Sequence, residues 1–180
     1  MVFDSSPLMT LACSNKSVFY AVGKVYGSKA QWCSAVKDEI VDKCTHPRWE
    51  CARQVLRASW LPAAVALDQP QDLEEIEDVR MVFVREGDGP YKHLGEAASI
   101  VLARRLHVGV VIDDQDAVNY ARLRENLPVH RTLDLLLGVL EAREVSCDDG
   151  WTTYQRMRKA AFLPQLDRSS LCPTVCGRHR

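Results

Sequence analysis

Asp4 and the pair Asp113-Asp114 fall where short apolar strands end, and Glu39 and Glu96 lie on helices that could reach the same sheet edge as Asp4 and Asp114. Four carboxylates crowded together repel one another unless a divalent cation lies among them, and hard oxygen donors of this kind suit Mg²⁺ or Mn²⁺. Two such ions can position water for in-line attack on phosphorus and stabilise the departing oxygen. Each residue also has a plainer reading. Asp4 precedes Ser5-Ser6-Pro7 and reads equally as a helix N-cap. Glu96 follows Gly95 and reads equally as an acid favouring the positive end of a helix dipole. Glu39, inside Lys37-Asp38-Glu39, is one of many acids on a helix surface. Asp113-Asp114 is harder to explain in that way, because adjacent acids directly after the apolar stretch His107–Ile112 are a poor structural choice.

Positioning these residues requires strands that end on them. Val2-Phe3 is a short strand ending on Asp4, and Ser5-Ser6-Pro7 supplies hydroxyls and a first-turn proline for the helix that follows. Ser17–Val25 reads as further packing structure. The pattern then predicts a helix over Ser28–Cys44, with Ala35, Val36, Ile40 and Val41 on one face. His46-Pro47 breaks it, and a second helical stretch runs from Arg48 to Ser59. Leu61–Leu67 is short and apolar enough for a strand, with Pro62 making its start irregular. Gln69–Arg85 has helical spacing, and Gly87, Gly89 and Pro90 make Arg85–Leu94 a loop.

Gly95-Glu96 opens a helix, and His107–Ile112 is a continuous apolar run suited to a strand buried on both faces. A helix bearing Ala117, Tyr120, Ala121 and Leu123 follows Asp113-Asp114. Pro128-Val129 is a brief strand, and Thr132 starts the next helix. Strand–helix alternation with short connections predicts an α/β fold, a three-layer α/β/α arrangement around a central parallel sheet. Trp151–Phe162 adds a last helix, and the chain beyond Pro164 reads as a loose tail. The division expected is a domain over residues 1–145 and a C-terminal helix and tail over 146–180.

At 180 residues the chain can bury one sizeable core. No apolar run reaches the roughly 18 residues needed to span a bilayer. The N-terminus lacks a basic region before an apolar one, so an intracellular, cytoplasmic location is expected. Seven cysteines are an odd and scattered set for a secreted disulfide framework. Cys13 and Cys33 lie in apolar or helical stretches, where a reduced, buried thiol is the commonest state. Cys44, His46 and Cys51, and likewise Cys172, Cys176 and His179, lack a CxxC pair and fall short of the four ligands of a closed zinc site. A net charge of −1 exerts no global pull on nucleic acid, so a nucleic-acid enzyme would depend on local cations such as Arg104, Arg105, Arg122, Arg124, Arg131, Arg156, Arg158 and Lys159.

The order of four segments resembles the PIN domain, and within it the small PIN-like toxins of bacterial toxin–antitoxin pairs. Asp4-Ser5-Ser6-Pro7-Leu8 resembles the family's opening Asp-Ser/Thr-Ser-x-Leu. Ala35-Val36-Lys37-Asp38-Glu39-Ile40 is similar to its Val-x-x-Glu-Leu/Ile helix. The stretch Gly95-Glu96-Ala97-Ala98-Ser99 is close to its Gly-Glu-Ala helix, and Val110-Val111-Ile112-Asp113-Asp114 to its strand ending Leu-Ile-Asp-Asp. Leu127-Pro128-Val129-His130-Arg131-Thr132-Leu133 is similar to a Leu-x-Val-x-Gly-Thr segment, so that the likeness covers roughly residues 1 to 145.

That resemblance implies a Mg²⁺- or Mn²⁺-dependent endoribonuclease, with Asp4, Glu39, Glu96 and Asp114 as catalytic and metal-binding acids. Asp113 or Asp116 would be auxiliary, and Thr132 a hydroxyl near the site. It also implies an RNA substrate, a protein antitoxin as partner and, often, a homodimer. Arg131 departs from the family by standing where glycine usually precedes the threonine, and glycine there would permit an unusual backbone angle. Residues 44–60 match nothing in the family, and His46, Trp49 and Trp60 within them read as packing residues. The alternative is a PIN-like binding module that has lost activity. A phosphate-receiver-like protein is weaker, because His130-Arg131 follows the later strand where a lysine is expected.

Overall fold

Apolar residues that fill both faces of a short strand belong at the centre of a sheet, and Val2, Phe3, Val110 and Val111 are all fully buried. The computed structural model describes residues 1–160 and 163–172. In it β1 (Val2–Phe3), β2 (Val110–Val111) and β3 (Val129–His130) pair in parallel in that order. Val2 stands opposite Val110 and Val110 opposite Val129, while Phe3, Val111 and His130 form the next row. The amide of Asp4 donates to the Val111 carbonyl at 3.0 Å, and that of Ile112 to His130 at 3.0 Å. This register makes Asp4, Asp113 and Thr132 leave the sheet at the same end.

Helices fill the connections. After β1 come α1 (Ser5–Ser14), α2 (Lys16–Tyr26), α3 (Ser34–Lys43), a 3₁₀ turn over Pro47–Ala52, α4 (Arg53–Leu56), α5 (Pro70–Met81) and α6 (Leu94–Leu106). After β2 comes α7 (Gln115–Leu123), and after β3 come α8 (Thr132–Glu141), α9 (Cys147–Ala160) and α10 (Arg168–Leu171). The α6 helix lies on β1 and β2 and packs between α3 and α5. Its run Ala97-Ala98-Ser99 is small and buried, so the helix can sit close to its neighbours on nearly every side. A second group, α1, α2, α8 and α9, packs together, with Tyr154 and Met157 of α9 completely buried. The result is the α/β arrangement around a parallel sheet that the strand–helix alternation predicts.

Several local expectations change. Leu61–Leu67 is not a strand: only Val65 pairs, in a single bridge with Cys33. Pro62 has no N–H to give, and its carbonyl is taken by the Trp32 indole at 2.7 Å. The helix read over Ser28–Cys44 starts only at Ser34, because Gln31 and Cys33 are extended and bridge Val2 and Val65. The apolar run His107–Ile112 contributes only Val110–Val111 to the sheet. His107 takes a left-handed φ of 52° to close α6, and the Val108 amide bonds back to Ala103 at 3.1 Å.

The chain beyond Pro164 is not loose as far as it is described. Leu171 and Cys172 are buried, and the Tyr154 hydroxyl donates to the Pro164 carbonyl while accepting from the Leu166 amide. Phe162, Cys176 and His179 lie outside the described residues. Cys13 is not a reduced thiol. It forms a disulfide with Cys51, so α1 is covalently tied to the 3₁₀ turn. The partner lies 38 residues away, and a separation of that length carries no sign that the two thiols meet. Among the described residues, no helix is long and apolar enough to cross a membrane.

Trp60 locks this half of the core. Its ring meets Phe3 edge-on at 5.8 Å and Phe19 at 5.2 Å between centroids. Gly23 of α2 lies directly under the indole, and a Cβ there would be 2.6 Å from Trp60 Nε1. Gly23→Ala should therefore destabilise the fold by about 1–3 kcal/mol through overpacking. That loss outweighs the roughly 1 kcal/mol that alanine gains over glycine in a helix interior. Urea unfolding of the variant measures the balance, and a gain in stability would mean that Trp60 is free to move aside.

Candidate metal centre

The end of β1 sets the centre. Asp4 is the N-cap of α1, and its Oδ2 accepts from the Ser6 amide at 3.2 Å. The residue is only 1% exposed, and its other oxygen, Oδ1, is buried with no hydrogen-bond partner. Burial pushes this carboxyl well above the usual carboxylate range, and the charges of Glu96 and Glu39 push it further. The amides of Ser5 and Ser6 offset part of that rise.

Glu39 projects from the middle of α3 and Glu96 from the first turn of α6. Both face Asp4 because α3 packs on α6 and α6 packs on β1. Gly95 makes the approach feasible. A Cβ at that position would lie 2.7 Å from Glu39 Oε2 and 3.4 Å from Asp4 Oδ1, so both oxygens reach the same point over the Gly95 backbone. Glu96 is also held above the ordinary range by burial, and the charges of Glu39 and Asp114 add to the rise. Its own backbone amide and His93 work in the opposite direction.

The two acids after β2 divide their tasks. Asp113 accepts from both the amide and the hydroxyl of Thr132, clasping the end of β2 to the start of α8. Thr132 is fully buried in that clasp. Asp114 caps α7 by accepting from the Ala117 amide at 2.9 Å through Oδ1, and it lines the cleft beside Glu96. Asp116 is not brought to this cleft. It pairs with Arg85 on the surface and lines a separate groove with Val82 and Tyr120. Arg131 takes φ −114° and ψ 168°, an ordinary extended conformation, so the position does not require glycine.

Cations stand among the acids. Lys43, one turn beyond Glu39, holds the Glu39 Oε1 oxygen. His93 precedes α6 with a left-handed φ of 65°, and its Nδ1 lies 3.9 Å from Glu96 Oε1. That Nδ1 is buried without a hydrogen-bond partner. Sequence reading singled out neither residue. The i, i+4 spacing of Glu39 and Lys43 was the available signal for the first, and nothing in the loop pointed to the second. A cleft of about 500 Å³ opens over Glu96, Asp113 and Asp114, and Lys43, Trp49 and Arg131 also line it.

The donor set suits a hard divalent cation: carboxylate oxygens, one of them buried and unpartnered, with two neighbours whose charges bear on it. Among the described residues, no three His, Cys, Asp or Glu side chains already form a metal cage. Glu39 is turned to Lys43 and Asp114 to a backbone amide, which is how mutually repelling carboxylates settle on the nearest positive partners. Cys44, His46 and Cys51 form no such cage either, and Cys51 is bonded to Cys13.

A family model described as a PIN domain matches residues 1–164 of the chain. No curated protein matches it, and no solved structure does.

The carboxyl groups of Asp4 and Glu96 hold their protons more tightly in the fold than in the unfolded chain, where carboxyls titrate near pH 4. Without metal, stability is therefore greatest below about pH 4 as far as these groups decide it, and it falls as pH rises until both have ionised. Asp4→Asn retains a good N-cap and removes the charge. The variant should melt at a higher temperature than the parent in chelator at pH 7, with a flatter dependence on pH. Mn²⁺ should stabilise the parent, by about 2.7 kcal/mol at a hundredfold excess over Kd, but not the variant. A variant no more stable than the parent in chelator would show that Asp4 carries no such burden.

Proposed function

The chain belongs to the PIN-domain family, and from that premise we propose that it is a metal-dependent endoribonuclease. In this reading Asp4, Glu39, Glu96 and Asp114 hold Mg²⁺ or Mn²⁺ at the carboxyl end of the sheet. One observation carries the proposal: a buried Asp4 whose free oxygen faces two glutamates, an arrangement that costs stability unless a cation joins it. When bound, the cation supplies Lewis-acid activation of water and neutralises charge developing on the phosphodiester.

The chain's own residues do the rest. Asp4 and Glu96 are fixed at a strand end and in a helix first turn, so their carboxylates keep their positions. Asp113 holds Thr132 and thereby the β2–α8 junction, which leaves Asp114 to face the cleft. Glu39, paired with Lys43 in the metal-free protein, would help to hold the cation, and the Lys43 ammonium would then be available to a phosphate oxygen. The likeness of the Gly95-Glu96-Ala97 helix to PIN-like toxins extends the proposal to the toxin of a bacterial toxin–antitoxin pair. A protein antitoxin would be its partner, and a homodimer its assembly.

A second reading rests on the absence of a ready three-ligand cage among the described residues. The chain would then be a PIN-like binding module acting through protein or RNA contacts. Calorimetric titration with Mn²⁺ separates the two, since binding that disappears in Asp4→Asn favours the enzyme.

Purified protein should cleave single-stranded RNA in Mg²⁺ or Mn²⁺ and not in chelator. Asp4→Asn and Asp114→Asn should each lower the rate by at least about a hundredfold, the scale lost with an electrostatic group at a reacting centre. Induced expression should arrest bacterial growth with the parent and not with Asp4→Asn. Cleavage that survives both substitutions would refute the assignment. Gly95→Ala is the subtler test. Alanine favours the helix by roughly 1 kcal/mol, while its methyl displaces the Glu39 carboxylate. Activity should fall with no loss of melting temperature.

A further inference from the structure

Resting on the nuclease reading, we propose that the cleft beside the acids contains a subsite for one unpaired nucleotide of the RNA. Its base would stack on Trp49, and its phosphate would be held by Arg131 and Lys43.

The acids make up only part of the cleft lining, which also includes Trp49, Met9 and the cations of Arg131 and Lys43. At about 500 Å³ the space falls within the roughly 300–1,000 Å³ of small-ligand sites. Trp49 packs against the core, as expected from the sequence, but is only half-buried there and also lines the cleft. It rides on the 3₁₀ turn Pro47–Ala52, which packs on α1 and is bonded to it by Cys13–Cys51, two residues beyond the indole. Arg48 lies over one face of the Trp49 ring at 5.3 Å from its centroid, so a base would have to stack on the opposite face. The disulfide therefore fixes the aromatic wall to the helix that Asp4 caps.

Charge decides the type of occupant. A phosphodiester approaching four carboxylates is repelled unless cations flank its path, and the net charge of −1 gives no general attraction. Arg131 and Lys43 are the cations that line this cleft. The Arg131 guanidinium is steadied by the Gln115 side chain, and its backbone amide is bonded to Asp134 at 2.7 Å. An aromatic platform beside phosphate-binding cations is the recognition mode of single-stranded nucleic acid, whose bases are free to stack on a side chain. A paired base has both faces covered and cannot use it.

The test uses the parent protein in Mn²⁺, with a fluorescently labelled single-stranded RNA oligomer carrying phosphorothioate linkages that resist cleavage, followed by anisotropy. Adding Trp49→Ala should weaken binding roughly 5- to 150-fold, the range for losing one base–aromatic stack. Trp49→Phe should restore most of the affinity. Arg131→Ala should weaken binding and reduce the salt dependence by about one phosphate contact. A duplex of the same sequence should be insensitive to Trp49→Ala. Unchanged single-strand affinity in a folded Trp49→Ala variant overturns the subsite, as does an equal loss for duplex. If Trp49→Ala fails to fold, photocrosslinking of an iodouridine oligomer decides: an adduct on Trp49 supports the subsite, and adducts only elsewhere overturn it. Failure of the nuclease reading is distinct, since the parent would then leave RNA uncleaved in Mg²⁺ or Mn²⁺ whatever its affinity for the oligomer.

Discussion

A carboxylate taken out of water at the end of a strand, with one oxygen bonded to an amide and the other to nothing, is costly to keep. Asp4 is in that position, and the organisation around it is a set of responses to that burden. The cap bond to Ser6 uses one oxygen. Lys43 neutralises Glu39, one of the two acids whose charge bears on Asp4. The amide at the start of α6 favours the charged form of Glu96. None of these partners reaches Asp4 Oδ1. The unsatisfied atom is the one a cation would meet, and a metal-free core of this kind would be more stable with an amide there.

Geometry around Asp4 follows from the sheet register. Because β1, β2 and β3 are parallel and paired row by row, the residues that follow them emerge together, and three different segments deliver side chains to one edge. The pair after β2 shows how a fold uses two adjacent acids. One is spent on structure, since Asp113 takes both hydrogen-bond donors of Thr132 and fastens β2 to α8. The other caps α7 with one oxygen while lining the cleft. Gly95 performs the same service for α6, where even a methyl group would intrude on Glu39.

These features were unequally legible in the sequence. The strand ending on Asp4, the helix opened by Gly95-Glu96 and the buried strand before Asp113-Asp114 follow from apolar periodicity and helix-start residues, which act locally. The extents of β2 and α3 do not, because a left-handed His107 and the bridges of Gln31 and Cys33 are settled by tertiary contacts. Glu39 could be nominated only through resemblance, since an acid on an exposed-looking helix carries no mark of facing an α6 that is distant in the chain. His93 and the Cys13–Cys51 bond were illegible for the same reason: each owes its role to a partner brought near only by folding. That Asp113 binds Thr132 while Asp114 caps α7 likewise became visible only in the fold.

Residues 44–60 lie inside the stretch that the family model matches but carry no motif visible in the sequence, yet Trp49 among them lines the cleft. Their 3₁₀ turn is too short to hold itself in place by backbone bonds alone, and its single fully buried apolar side chain is Ala52. The disulfide supplies the missing constraint by anchoring the turn to α1, the helix that begins at Asp4. Chemistry and its surroundings are thus built by different means. The acids are placed by the sheet and by close helix packing, which the α/β fold imposes. The 3₁₀ turn that carries Trp49 is placed by its packing on α1 and by a covalent tether, which fixes a turn that buries only Ala52.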